Sequence, residues 1–274
     1  LSQILKGPLS LVVLAIILWL TGSLISSIIG LIMTWLCLLI SYDFANARHF
    51  SKVVPSVDRR RLWELVKLSF PLGIVMMLVS LNPNIPRYFI EGYLGADQLG
   101  YFAAITYIMV AGNTVVNALG QSASPRLAKL YANQQLVEFK KLLIKLVILG
   151  VLLGCLGVVI VIFLGDFILS MLYNQDYATY NDIFLIVMIG SGIRFIGSFL
   201  GYGVTAARVF KIQPLLNLTV VIVSLISSIT LVPSFGLVGA AYTLLFAAII
   251  HLIGYAIVNI FVLLRKGKIG MRKI

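Results

Sequence analysis

Charge is what this sequence has least of. Aspartate and glutamate together number 9 in 274 residues, and all charged residues make up 11% of the chain, against about 25% in a soluble globular domain. So few charges cannot clothe a water-facing surface, which excludes an ordinary soluble fold. Cysteine is almost as scarce: Cys37 and Cys155 each lie inside an apolar run, where a thiol behaves as a small hydrophobe, so neither a disulfide framework nor a thiolate metal cluster is expected. There is no Walker-type glycine-rich phosphate loop, no His-Glu-x-x-His pair and no plausible catalytic triad, so no catalytic residue, cofactor or metal is expected. No basic segment with a small-residue cleavage site leads the chain, which starts at Leu1; no signal peptide is expected, and the chain reads as truncated at its start.

What fills the sequence is apolar: 61% of residues are hydrophobic and the mean hydropathy is +1.07. Runs of roughly 20 apolar residues, the length that crosses about 30 Å of hydrocarbon, occur at about 8–20, 24–42, 65–93, 98–120, 142–164, 183–205, 214–232 and 237–264. The expected fold is therefore an all-α integral membrane protein with eight transmembrane helices. Thr21-Gly22-Ser23, Leu94-Gly95-Ala96-Asp97 and Pro233-Ser234-Phe235-Gly236 read as tight turns between spans.

The basic residues order the topology. Nineteen of the 21 lysines and arginines lie on every second connection or at the ends: Lys6, then Arg48 to Lys67, Arg126 to Lys145, Arg208 with Lys211, and Arg265 to Lys273. The opposite connections carry Asp97, Asp166, Asp176 and Asp182 and no base. The positive-inside rule places both ends in the cytoplasm of a multi-pass protein of the cytoplasmic (inner) membrane. A net charge of +12 spread over separate loops is not the gathered basic face that a nucleic acid requires, so no nucleic-acid partner is expected. The connection Ser122–Lys141 has apolar residues at helical spacing among lysines and is expected to lie along the cytoplasmic membrane surface.

The two remaining bases, Arg87 and Arg194, fall inside spans. An arginine at bilayer depth costs several kcal/mol, and its face normally meets a cavity or pathway. Arg87 belongs to the segment Ser80–Gly95, where Pro83 and Pro86 each remove a backbone donor, so this helix is expected to kink or open between Val79 and Arg87. If the helix resumes, Asn84, Arg87 and Glu91 share one face. Arg194 has Ser191 and Ser198 at helical spacing beside it, and Asn113, Asn117 and Gln121 form a further polar stripe. Snorkelling of Arg87, a structural pair for Arg194 and interhelical hydrogen bonding of the stripe are the alternatives. His251 stands alone on an apolar helix, and a packed, hydrogen-bonded role is favoured over a protonation role.

The order of Phe70-Pro71-Leu72-Gly73, Asn84-Ile-Pro-Arg-Tyr-Phe-Ile, Tyr93-Leu-Gly-Ala, Leu99-Gly-Tyr-Phe-Ala-Ala, Ser124-Pro-Arg-Leu-Ala-Lys-Leu-Tyr and Pro233-Ser-Phe-Gly-Leu-Val-Gly-Ala-Ala resembles the polysaccharide biosynthesis branch of the multidrug/oligosaccharidyl-lipid/polysaccharide (MOP) exporters, the Wzx-type O-antigen flippases above all. The resemblance implies a MATE-like fold of which this chain holds the end of the first six-helix bundle and all of the second: residues 1–43 as the last two helices of the first, 44–63 as a basic linker, 64–265 as the second bundle and 266–274 as a basic tail. It also implies flipping of a polyprenyl-pyrophosphate-linked oligosaccharide. Arg87 and Arg194 would meet the pyrophosphate, and Asn84, Asn113, Asn117 and Tyr88 the sugar hydroxyls, with Glu91 alongside Arg87. Implied partners are the lipid-linked oligosaccharide and the bilayer, with a coupling cation, a polysaccharide polymerase and glycosyltransferases as further candidates. A cation-coupled multidrug antiporter of the same superfamily and a non-transporting membrane scaffold stay open as alternatives; cavity charge separates the first, and a sealed bundle interior would mark the second.

Overall fold

A computed structural model describes residues 2–43, 58–210 and 212–271, and these are helical throughout apart from short turns. Helix α1 (Ser2–Thr21) and helix α2 (Leu24–Leu38), prolonged by a π-helical turn at Leu39–Asp43, form a hairpin. Gly22 turns the chain at a φ of 62°, and the Ser23 hydroxyl accepts the Ser26 amide at 3.5 Å to cap α2. Trp35 Nε1 donates to Ser10 Oγ at 2.8 Å across the pair. This hairpin is the core of a compact unit, Leu1–Leu65; a second unit comprises Val66–Ile274.

The second unit begins within α3 (Arg59–Leu94) and continues with α4 (Ala96–Ala132), α5 (Leu136–Leu172), the single turn α6 (Gln175–Ala178), α7 (Asn181–Ala206) and α8 (Gln213–Met271). Among the described residues five helices are long and apolar enough to cross a membrane: Leu24–Ser41, Ala96–Ala132, Leu136–Leu172, Asn181–Ala206 and Gln213–Leu264. Gly7–Thr21 is a shorter apolar helix. The Gln213–Leu264 stretch breaks at Gly236, whose φ of 59° and ψ of −134° is a conformation that a side chain strongly opposes. That break lies at the expected Pro233–Gly236 turn, and the chain continues as two successive helical segments. Gly95, at a φ of 88°, separates α3 from α4 in the same way.

Three sequence expectations are corrected. Of the kink or opening expected at Pro83 and Pro86, the opening is absent: α3 is assigned as one helix from Arg59 to Leu94. Pro86 has no amide to give the Asn82 carbonyl, and the buried Ser224 hydroxyl on α8 points at that oxygen instead, at 3.5 Å. A neighbouring helix thus meets part of the lost backbone bonding without a break. Second, Ser122–Lys141 is no separate surface helix. Helices α4 and α5 run on through it, 37 residues each or about 55 Å, and meet in a turn at Asn133–Gln135. Its apolar stripe is internal: Leu127 and Phe139 are fully buried, and the Tyr131 and Phe139 rings lie 5.5 Å apart. Third, helix already starts inside the expected linker. The Asp58 carboxylate accepts the Arg60 amide at 3.0 Å, and Arg60 faces Glu64 at 3.7 Å one turn on. The rest of that linker, 44–57, and positions 272–274 of the expected tail lie outside the described residues; helix extends to Met271.

Helix α7 sits at the centre of this unit and packs against α4, α5 and α8. Glycine permits the approach to α5: a Cβ on Gly154 would stand 2.8 Å from the Gly192 Cα. The two backbones touch at that level, as small-residue pairs allow between membrane helices. Toward α8, Asn259 Nδ2 donates to the Leu200 carbonyl at 2.9 Å. At the end of the unit away from the basic connections, the rings of Tyr101, Tyr173, Tyr177 and Tyr180 form a chain of contacts with centroids 4.7 to 4.8 Å apart, Tyr173 stacked on Tyr177 and Tyr101 edge-on to Tyr177 and tilted against Tyr180, tying α4 to the α5–α7 connection.

Candidate functional site

Between α3, α4, α7 and α8 lies a cavity of about 810 Å³. Each helix contributes one stripe of its surface. Helix α7 brings Val187, Ser191, Arg194 and Ser198 at intervals of three to four residues, and the second half of α8 brings Leu244, Ala248, His251 and Tyr255. Helix α3 supplies Asn82, Asn84 and Arg87, and α4 supplies Thr106, Asn113 and Asn117. Five of the six candidate residues, Arg87, Arg194, Asn84, Asn113 and Asn117, therefore border one space. Glu91 does not: it is exposed, one turn beyond the cavity and close to the end of α3, and no ion pair joins it to Arg87. Tyr88 points away from the cavity at 66% exposure, so it offers no ring there. Gln121 is exposed and off the cavity wall.

Arg87 is held rather than free. Its Nη2 donates to Thr106 Oγ1 at 3.0 Å and its Nη1 to Asn84 Oδ1 at 3.4 Å. Asn84 is itself fixed, its Nδ2 donating to the Ser80 carbonyl at 2.9 Å. In the structure Asn84 orients the arginine and is less available to a ligand than the sequence suggested. One donor remains: Arg87 Nε is buried and has no partner. An unmet buried donor costs about 1–3 kcal/mol, and such groups need a reason.

Arg194 on α7 has no hydrogen bond and no carboxylate partner among the described residues. Among the described residues no aspartate or glutamate borders the cavity. Two guanidinium groups thus face a space whose other described walls are amides, hydroxyls, the His251 imidazole and apolar side chains. Low-dielectric walls focus that charge into the space. What the arrangement can do is bind an anion, because each guanidinium offers a planar fork of donors that matches the oxygens of a phosphate.

Several lining groups escaped the sequence reading. Thr106 looked like one hydroxyl among many; only the packing of α4 on α3 makes it the acceptor for Arg87. Asn217 donates to Tyr255 Oη at 3.3 Å across the two halves of α8, and Tyr202 Oη donates to the Asn117 carbonyl at 3.3 Å. His251 is on the cavity wall, 9% exposed, with its ring 4.7 Å from that of Tyr255 and its Nδ1 without a hydrogen-bond partner. Packed it is; hydrogen-bonded through Nδ1 it is not.

Comparison with known proteins agrees with this architecture. The profile of a family described as "Polysaccharide biosynthesis protein" matches residues 1–131. The capsular polysaccharide biosynthesis protein CapF of Staphylococcus aureus is 34% identical over 192 residues, which cover 70% of this chain and 48% of CapF; the chain spans about half the length of that curated relative. Among solved structures, an outward-facing multidrug resistance MATE family transporter of the MOP superfamily superposes with a TM-score of 0.65 at 10% identity, over 98% of this chain and 62% of that one. That likeness speaks for the fold alone. With the sequence matches it leads to one conclusion: the chain is similar to the polysaccharide biosynthesis protein family over residues 1–131 and to CapF over 70% of its length, and it has a MATE-like fold.

Proposed function

We propose that this chain forms part of a transporter that carries a polyprenyl-pyrophosphate-linked oligosaccharide, the repeat unit of a surface polysaccharide, from the cytoplasmic to the outer leaflet. One observation carries the reading: the cavity of the second unit presents Arg87 and Arg194 and, among the described residues, no carboxylate. A pyrophosphate needs such a surface, and the sugars that follow it need the amides and hydroxyls of Asn113, Asn117, Ser191 and Ser198. A cation-coupled drug antiporter would want an inward carboxylate, and the described residues of the lining include none. A scaffold of paired buried charges would leave no open interior and no unpaired guanidinium. In this reading the eight apolar segments are eight spans, both chain ends face the cytoplasm, and the cavity lies within the inner membrane.

The test is complementation of a flippase-deficient strain by the full-length protein carrying Arg87→Ala, Arg87→Lys or Arg194→Ala, at matched membrane abundance. Surface polysaccharide is expected to be lost in Arg87→Ala and partly restored in Arg87→Lys, since lysine keeps the charge and lacks the fork. Full polysaccharide levels in both alanine variants would remove the anion-binding role.

A further inference from the structure

The two arginines of the cavity stand at different depths along the bundle. Arg87 Nη2 meets Thr106 on α4, whereas Phe195, the neighbour of Arg194 on α7, rests on Gly112, where an added Cβ would touch the ring tip at 2.8 Å. From Thr106 to Gly112 helix α4 advances six residues, a rise of about 9 Å toward the basic end. Arg87 is thus the arginine nearer the acidic connections. On α8, Arg194 interacts electrostatically with His251 and Tyr255, and these two rings lie against Gly197 and Gly201, on the basic-end side of Arg194. Its surroundings draw it away from Arg87.

The cavity is asymmetric about this pair. Past Arg194 it continues through Ser198, Tyr202 and Thr205 to Gln213, beside the basic connection between α7 and α8. Past Arg87 it stops: Ile90, one turn further along α3, and Phe102, one turn from Thr106 on α4, are fully buried and take no part in the lining. An anion moving from the basic end toward the acidic end meets Arg194 first and Arg87 last. The two also differ in freedom. Arg87 is anchored by Thr106 and Asn84, and the Thr106 hydroxyl is itself turned by donating to the Phe102 carbonyl at 2.9 Å. The buried, unmet Arg87 Nε leaves one donor for a ligand. Among the described residues no hydrogen bond fixes Arg194.

We infer that Arg194 and Arg87 are two successive stations for one anionic head: Arg194 takes the pyrophosphate as it comes from the basic end, and Arg87 holds it at the far end of the cavity. Across a rise of about 9 Å, no single phosphate group lies within the roughly 3 Å hydrogen-bond reach of both guanidiniums. The inference rests on the function proposed above, and it adds the order in which the head meets the two charges. A donor set ordered in advance binds more tightly than one ordered by its ligand, so Arg87 is the tighter station. A charge on the approach path acts chiefly on the association rate, and that is the part of Arg194.

The experiment follows association and release of radiolabelled inorganic pyrophosphate on the full-length protein in nanodiscs, by rapid filtration, for wild type, Arg87→Ala, Arg194→Ala, Arg194→Gln and Arg194→Lys. Arg87→Ala is expected to lose at least tenfold in affinity, mostly as faster release. Arg194→Ala and Arg194→Gln should lose less, and as slower association with release unchanged; Arg194→Lys, which keeps the charge, should restore the association rate. A merely structural role for Arg194 would not be rescued by lysine and would not spare the release rate. Release that accelerates in Arg194→Ala as much as in Arg87→Ala overturns the inference, because it means one pyrophosphate bridging both arginines; the function proposed above would stand. Rates and affinity unchanged in every variant would overturn both.

Discussion

Replacing Thr106 with valine should weaken anion binding without touching a charge. Valine keeps the shape of threonine, so α4 continues to pack on α3, but the acceptor that receives Arg87 Nη2 at 3.0 Å disappears. Hydrogen bonds to charged groups contribute about 1.5–3 kcal/mol. In this variant Nη2 joins Nε, already buried without a partner, and the side chain keeps only the longer contact to Asn84 at 3.4 Å. Part of the loss falls on stability and part on the site. The part that reaches the ligand is the cost of ordering a freed arginine at the moment of binding, about 1.5–2 kcal/mol for a long side chain, or roughly tenfold in affinity. Isothermal titration of the purified full-length protein with pyrophosphate, alongside transport of a fluorescent lipid-linked sugar into vesicles, gives both numbers. Thr106→Ser, which restores the hydroxyl, should recover most of the loss. Equal affinity and equal transport in wild type and Thr106→Val would refute the argument that Arg87 is held in place for its ligand.

Two further perturbations test the frame around the site. Gly154→Leu drives a side chain into the Gly192 backbone, where a Cβ alone would come within 2.8 Å of a Cα; overpacking of this kind typically costs about 1–3 kcal/mol, so its thermal midpoint in detergent should fall clearly below that of Gly157→Leu, whose added bulk meets only the flexible Met188 tip. Midpoints that coincide would mean that α5 and α7 are not in backbone contact. For topology, a cysteine at position 174 in place of Asn174, in the base-free connection at the acidic end of the bundle, should react with a membrane-impermeant maleimide in intact cells; reaction only after permeabilisation would invert the proposed orientation.

The apolar runs, their turns and the rarity of intramembrane charge were all readable along the chain, because each is a local property. A run of about 20 apolar residues has few choices but a membrane helix, since only a helix satisfies its own backbone in lipid. The breaks at Gly95 and Gly236 follow from turn residues, and Arg87 and Arg194 stood out because the other bases lie in connections or near the ends of the apolar runs. The sequence erred where a neighbour supplied what the chain lacked. Pro86 frees a carbonyl, but Ser224, 142 residues away in sequence, is at hand, so α3 stays whole; and the stripe on Ser122–Lys141 looked amphipathic only because its partner stripe is its own continuation in α5. Spacing put Glu91 on the same face as Arg87, yet a face says nothing of how far along the helix a cavity extends. Only tertiary packing decided that Arg87 and Arg194, over 100 residues apart in sequence, border one space with no carboxylate among the described residues, and that Thr106 and Asn84 hold one of them. Each of these depends on which helix faces meet, a relation between distant segments that helical periodicity by itself does not encode.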